Sequence, residues 1–414
     1  MKVAVLGTRG FPGVQGGVEA HCENLYTRLA KSGCDVTVFT RSAYMEKIGT
    51  VPFNAESYAL GQSLFLYKGV KLIPLSCPKS KSLEAIVHTF KGVFASKKLK
   101  PDVLHIHAIG PSLFVPLARI LGLKVVMTHH GPDYMRKKWG GFAKLVLRLG
   151  EWAGVTFANQ VIAISQTIAD EIKAKYGREV TVIPNGVVVP EFKSEIASSA
   201  PLALPRNDVV LGWAIQPGKY VLAVGRFVPE KGFHDLVEAL NKMGTVPFNK
   251  ESYTLGQSPF SHVPNFSSDE WKLVIAGDAD HEDKYSLELK EKAKANPNIV
   301  LTGFISGEPL KELYSHAGLF VLPSHYEGLP IVLLEAMSYG LSCIVSDIPA
   351  NREVGLPEDR YFAPGDVNAM AEKIREFANK PLGPDERARQ IRALREKYDW
   401  DRIAERTMGV YRER

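Results

Sequence analysis

The chain has 414 residues, 45% of them hydrophobic and 23% charged, which is the composition of an ordinary globular protein and excludes disordered and fibrous classes. A single core seldom serves so long a chain, so two domains of roughly 200 residues each are expected. The net charge of +6 conceals an asymmetry: residues 1–188 carry 24 Lys+Arg against 12 Asp+Glu, or +12, which leaves −6 for the remainder. The first half is therefore the one suited to an anionic surface, and no nucleic-acid partner is expected.

The start, Met1–Gly7, has one basic residue and too short an apolar run for a signal peptide. No stretch reaches about 18 uninterrupted apolar residues, which argues against a transmembrane helix. The cysteines at 22, 34, 77 and 343 show no CxxC spacing. Neither zinc nor a disulfide framework is expected, and a reducing cytoplasm is the simplest setting.

In chain order, Val3–Leu6 reads as a strand, Gly7–Gly17 as a glycine-rich turn, Val18–Lys31 as a helix and Asp35–Thr40 as a second strand, the opening of a doubly wound α/β sheet. The turn alone also suits a dinucleotide enzyme. However, the second strand ends Phe39-Thr40-Arg41 with no acidic residue for a cofactor ribose, so no such cofactor is expected. Strand-like runs follow at Val103–His107, Lys124–Thr128 and Val161–Ile164. His105 and His107 share one face of their strand, and read best as core or cleft-lining residues, with no carboxylate or cysteine motif nearby to complete a metal site. His129 and His130 end the next strand and point to opposite sides, so a shared metal is not expected and one of them is structural.

Arg136–Leu149 mixes cations with Trp139, Phe142 and Leu145 at near-helical spacing. Such a segment suits either an anionic membrane surface presenting lipid-linked acceptors or an ordinary amphipathic helix packed on the sheet. Val180–Gly186 then ends in turn chemistry, and a loose segment holding Ser198, Pro201, Pro205 and Asn207 follows.

The same grammar restarts at Tyr220–Gly225, with strands at Trp271–Ala276, Ile299–Thr302, Gly318–Leu322 and Ser342–Val345 and a helix at Pro309–His316. Two Rossmann-like α/β halves facing across a cleft, with ligands at the carboxyl ends of the strands, are expected. One feature fits neither half. Gly49–Ser63 and Gly244–Ser258 agree at 13 of 15 positions but the likeness fades on both sides, so they read as inserts of about 49–66 and 244–268 in two surface loops rather than a structural repeat.

After the strand Gly318–Leu322 comes Ser324–Met337, with Glu327 in a loop and Glu335 inside a helix that Pro330 starts and Gly340 ends. Ile331, Val332, Leu333 and Leu334 make that helix start apolar nearly all round, so Glu335 needs a polar partner. The free N–H groups at the helix start suit an anion such as diphosphate. In Val224–Gly232, Arg226 and Lys231 project from a turn after a strand and would offset charge growing on a departing diphosphate.

Gly225-Arg226, Glu230-Lys231-Gly232 and the Glu327/Glu335 pair together resemble the donor-site motifs of GT-B glycosyltransferases of family 4, over nearly the whole chain. The resemblance implies two domains, 1–187 on the acceptor side and 188–395 binding the nucleotide sugar, with a final helix in 396–414 returning to the first. It implies a retaining transferase that uses a nucleotide diphosphate sugar donor and a glycan or lipid-linked acceptor. Arg226 and Lys231 would hold the donor phosphates, Glu335 the ribose and Glu327 the transferred sugar, with Gly328 and Leu329 beside them. His130 would lie beside the reacting sugar, and Gly16 and Gly17 would approach the phosphates. Gly7–Glu19 resembles the bacterial subgroup that includes rhamnosyltransferases for surface polysaccharides.

No nucleophile with an adjacent base is marked, so same-face attack without a metal is expected. Two other readings share the fold: a nucleotide-sugar epimerase, which would convert donor without acceptor, and a binding protein that has lost catalysis.

Overall fold

Val3, Ala4, Val5 and Leu6 are all fully buried. A strand covered on both faces reads as an unbroken apolar run rather than an alternating one, and that is the mark of a parallel sheet with helices on each side. The computed structural model describes residues 1–45, 65–78, 84–135, 140–190, 212, 213, 215–245 and 271–413. Of the inserts, 49–64 and 246–268 lie outside these, as does the loose segment 198–207.

Contacts divide the chain into two units: Met1–Val187 with Glu327–Ile331 and Tyr398–Arg414, and Val188–Tyr326 with Val332–Lys397. Among its described residues the first unit holds eight strands: β1 (Lys2–Leu6), β2 (Asp35–Arg41), β3 (Phe65–Tyr67), β4 (Val70–Leu75), β5 (Val103–His107), β6 (Val125–His129), β7 (Gln160–Ala163) and β8 (Thr181–Val182). Their order is β3-β4-β2-β1-β5-β6-β7-β8. Every pairing is parallel except β3 with β4. The order turns back between β1 and β5, which opens a crevice at their carboxyl ends. Gly7 follows β1 with φ +102°, and a Cβ there would lie 2.1 Å from the His107 carbonyl oxygen after β5. Only glycine meets both demands.

The helix Gly17–Lys31 packs Cys22, Leu25, Tyr26 and Leu29 onto this sheet, and the helix Trp400–Arg412 adds Trp400, Ile403, Ala404, Val410 and Tyr411 to the same core. The described residues of the second unit form six strands: β9 (Tyr220–Val224), β10 (Lys272–Ala276), β11 (Ile299–Gly303), β12 (Leu319–Leu322), β13 (Cys343–Ser346) and β14 (Tyr361–Phe362). They run in the order β11-β10-β9-β12-β13-β14, all parallel. Here the order turns back between β9 and β12. The core is built from Val221, Phe233, Leu236, Leu273, Ile344, Met370 and Phe377 among others. All four cysteines are free, with Cys22, Cys34 and Cys343 buried and Cys77 partly exposed. No helix of the described residues is long and apolar enough to cross a membrane.

Candidate active site

In the second unit the loops leaving β9 and β12, the two strands at the reversal, are tied together. The His325 N–H donates to the Glu230 carbonyl over 2.8 Å, and His325 Nε2 lies 2.7 Å from Asp235 Oδ2. A Cβ on Gly232 would stand 2.1 Å from the Pro323 carbonyl oxygen, so the two loops touch through backbone. Arg226 and Lys231 lie on the first of these loops, Lys231 within the short 3-10 turn Pro229–Lys231. The Lys231 stem passes 3.7 Å from the place of a Cβ on Gly225. Arg226 Nη1 donates to Asp280 Oδ2 over 2.9 Å, a half-buried pair that sequence reading did not foresee. An anion bound at Arg226 would compete with this carboxylate.

The loop after β12 carries Glu327 and leads into the helix Ile331–Ser338, one residue after Pro330. Glu335 lies inside that helix, and its polar partner is Tyr314, whose hydroxyl donates to Glu335 Oε2 over 2.9 Å. Burial drives the Glu335 carboxyl up to about 7, against the pull of that hydrogen bond. Tyr339 stacks on Tyr314 with ring centroids 5.5 Å apart, which fixes the phenol under the carboxyl. A depression lined by Gly218, Lys219, Gly318 and Ser342 lies at the opposite, amino ends of β9, β12 and β13, away from these motifs.

The first unit gathers histidines at its own reversal. His105 and His107 lie side by side on β5, ring centroids 4.2 Å apart. His107 Nδ1 meets His130 Nε2 at 2.9 Å. His129 turns the other way: its Nδ1 accepts from the Gly131 N–H at 3.1 Å, so Nε2 donates to Glu151 over 3.0 Å. Burial pushes the Glu151 carboxyl up, but bonds from His129, Lys175 and Tyr176 outweigh it and hold it at about 2. His129 is thus the structural member of the pair. Within this unit Gly328 lies against His130, since a Cβ on Gly328 would be 2.4 Å from the His130 carbonyl oxygen. In the same unit the buried Asn185 bonds His21 Nδ1 at 2.9 Å and donates to the Leu329 carbonyl at 3.0 Å.

Gly16 caps the helix Gly17–Lys31, and beside it Arg9 grips Glu19 through two nitrogens, Nε at 3.1 Å and Nη2 at 3.2 Å. A Cβ on Gly16 would strike the Glu19 carboxylate at 2.1 Å, whereas Gly17 faces open space. Among the described residues, two groups of side chains bring three metal-ligating atoms within 4.8 Å of one another: His21, His107 and His130, and His234, Asp235 and His325. Sequence reading found neither group. His21 lies 86 residues before His107, and Asp235 is 90 residues from His325, so no local spacing connects them.

A family model described as Glycosyltransferase Family 4 matches residues 15–189, and one described as Glycosyl transferases group 1 matches residues 214–397. Among curated relatives, an uncharacterized glycosyltransferase of Methanocaldococcus jannaschii is 26% identical over 100% of this chain and 98% of its own. A glycogen synthase of Mycobacterium tuberculosis is 25% identical over 99% and 94%. Among solved structures, sucrose-phosphate synthase from Thermosynechococcus elongatus superposes with a TM-score of 0.74 at 20% identity, covering 99% of this chain and 98% of that one. Anabaena Alr3699/HepE in complex with UDP-glucose gives 0.69 at 18%, covering 99% of each. With two parallel Rossmann-like sheets and both matches in place, the chain belongs to the GT-B glycosyltransferases of group 1 and family 4.

Proposed function

We propose that this glycosyltransferase takes its sugar from a nucleotide diphosphate donor and transfers it, with retention and without a metal, to a glycan or lipid-linked acceptor in cell-surface polysaccharide or glycolipid synthesis. The observation that carries this reading is the joining of the Arg226/Lys231 loop to the loop before Glu327 at the β9/β12 reversal, where doubly wound sheets hold their ligands. In the proposed site Arg226 and Lys231 hold the diphosphate, Glu335 accepts from the ribose, and Glu327 contacts the transferred sugar with Gly328 and Leu329. His130 stands beside that sugar, and Gly16 and Gly17 approach the phosphates. A UDP-glucose complex of the neighbouring Anabaena protein is in keeping with such a donor. The domain from 188 to 395 is then the donor domain.

The donor's anomeric C–O bond breaks with its electron pair going to the phosphate oxygen. The acceptor hydroxyl forms the new bond on the same face and passes its proton to that oxygen. Arg226, Lys231 and the helix start after Gly328 stabilise the departing charge. Replacing Lys231 with Ala is expected to lower kcat by about 10²–10³, the usual cost of losing one preorganised donor. Turnover within twofold of the parent would refute its role, and an inverted anomeric centre in the product would refute retention. Donor incubated without acceptor should yield no epimer.

The acceptor is placed at an anionic membrane surface, at the cytoplasmic face. On the helix Gly141–Phe157, Gly150, Ala153, Gly154 and Val155 are buried while Phe142, Leu145, Leu149 and Trp152 are exposed, Phe142 by 80%. These four form one stripe with Arg148 among them, and the basic residues 136–138 that precede it lie outside the described residues. An apolar stripe flanked by cations suits the interface of an anionic bilayer. Co-sedimentation with vesicles containing phosphatidylglycerol should fall at least fivefold in a Phe142→Ser, Leu145→Ser variant, a rough figure for two lost apolar anchors. Equal sedimentation of variant and parent would refute the placement.

A further inference from the structure

The loops leaving β9 and β12 meet at a cluster of side chains that the transfer step does not use. His234 and Asp235 stand in the first turn of the helix Phe233–Thr245, which follows the loop of Arg226 and Lys231. His325 stands on the loop between β12 and Glu327. His325 Nε2 lies 2.7 Å from Asp235 Oδ2 and His234 Nε2 lies 3.4 Å from Asp235 Oδ1, so one carboxylate has an imidazole nitrogen at each oxygen. The two rings are nearly parallel, 12° apart with centroids at 5.9 Å. One ligand atom from each of the three residues falls within 4.8 Å of the other two.

A carboxylate between two imidazoles can be no more than an ion pair, but three features favour a metal ion. The first is spacing. Zn2+ holds imidazole nitrogen at about 2.0–2.1 Å and carboxylate oxygen at about 2.0–2.2 Å, which sets tetrahedral ligand atoms about 3.3 Å apart. The His234–Asp235 pair stands at that spacing, and the His325–Asp235 pair reaches it by opening about 0.6 Å. The second is access. The side chains of His234, Asp235 and His325 are 39%, 13% and 32% exposed, so an ion can enter and keep a water as its fourth ligand. The third is an outer partner. His234 Nδ1 lies 3.1 Å from the Tyr285 hydroxyl, so once Nε2 gives its lone pair to an ion, Nδ1–H can donate to the phenol oxygen and hold the ring in place. The Asp235 carboxylate offsets part of the ion's charge. The group of His21, His107 and His130 brings no carboxylate, and His107 Nδ1 and His130 Nε2 already meet each other at 2.9 Å.

We propose that His234, Asp235 and His325 bind one Zn2+ ion, and that the ion clamps the loop carrying Glu327 to the helix that follows the Arg226/Lys231 loop. Two imidazoles and one carboxylate select an ion of this class over Mg2+ and Ca2+, which take oxygen ligands. The backbone already ties these elements through the His325 N–H and the Glu230 carbonyl, and the ion adds a cross-link between side chains. Its role is structural. It sets where the two loops stand and takes no part at the reacting atoms, so the site stands apart from the metal-free transfer proposed above.

The test is titration of the metal-free full chain with Zn2+ by calorimetry, and with Co2+ as a spectroscopic stand-in by visible absorption. One equivalent of Zn2+ should bind, the melting temperature should rise with its concentration, and Co2+ should give the strong visible bands of a four-coordinate site. His325→Ala and Asp235→Asn should each weaken binding by at least about tenfold, the loss that follows even from changing an outer partner, and His21→Ala should leave binding unaltered. His325→Cys should keep Co2+ and add a near-ultraviolet thiolate-to-cobalt band, which reads the site directly even if the alanine variant fails to fold. No saturable Zn2+ binding, equal binding by parent and His325→Ala, loss of binding in His21→Ala, or bound Co2+ without the thiolate band in His325→Cys would overturn the proposal and leave Asp235 and His325 an ion pair. Binding and melting are read without donor or acceptor, so the outcome does not depend on which sugar is transferred.

Discussion

Glu335 shows what one residue reveals in sequence and what it withholds. Its apolar neighbours Ile331–Leu334 make a polar partner necessary, and that much is local. That the partner is Tyr314, 21 residues earlier on the helix Glu308–His316, depends on how two helices pack and leaves no mark on spacing. The same holds for Asp280 beside Arg226, and for Asn185 between His21 and Leu329. The raised carboxyl of Glu335 has a thermodynamic consequence. Between an ordinary value of 4.5 and the folded value of about 7, the native state holds a proton the unfolded chain has lost. Stability therefore falls as pH rises through that window and levels off above it. Glu335→Gln should remove this slope and be the more stable protein at pH 8, as measured by urea unfolding at pH 5 and pH 8. An unaltered slope in the variant would mean that another group titrates there.

Elements were legible wherever the strand was buried on both faces. The run Val103–His107 coincides with β5, and Lys124–Thr128 and Ser342–Val345 are each one residue out of step with β6 and β13. The antiparallel pair β3 and β4 was not expected, because Phe65–Tyr67 is short and not buried, and Val70–Leu75 sets buried Val70, Leu72 and Leu75 among partly exposed Lys71, Ile73 and Pro74. The segment Arg136–Leu149 was open between a helix on an anionic membrane surface and an amphipathic helix packed on the sheet. The helix Gly141–Phe157 buries small residues on one face and exposes large ones on the other. A similar economy of size holds Gly186, where a Cβ would stand 2.5 Å from the buried indole of Trp400. Gly186→Ala should cost about 1–3 kcal/mol, the usual range for overpacking, and lower the unfolding midpoint. A midpoint matching the parent would show that the indole can shift without loss.

Across the molecule, the sequence pattern repeats one grammar twice, and both sheets reverse their strand order next to the motifs: at β1/β5 beside Gly7–Gly17 and His107, and at β9/β12 beside Arg226 and Glu327. The proposed site follows from that grammar, whereas the histidine cluster does not, since it draws on β5, β6, the first helix and the last. Donor identity is a property of the whole fold and is read by its stability. Of UDP, GDP and dTDP, each with its sugars, one series should raise the melting temperature by an amount equivalent to about 2.7 kcal/mol at a hundredfold excess over Kd. No shift with any of them would argue against nucleotide-sugar binding. The free cysteines supply a separate gauge. With Cys22, Cys34 and Cys343 enclosed and Cys77 half open, a thiol-reactive dye should take one equivalent quickly from the native chain and four from the unfolded one. The chain thus carries its own counter of global opening, and a dye on Cys77 marks the first unit without any engineered handle.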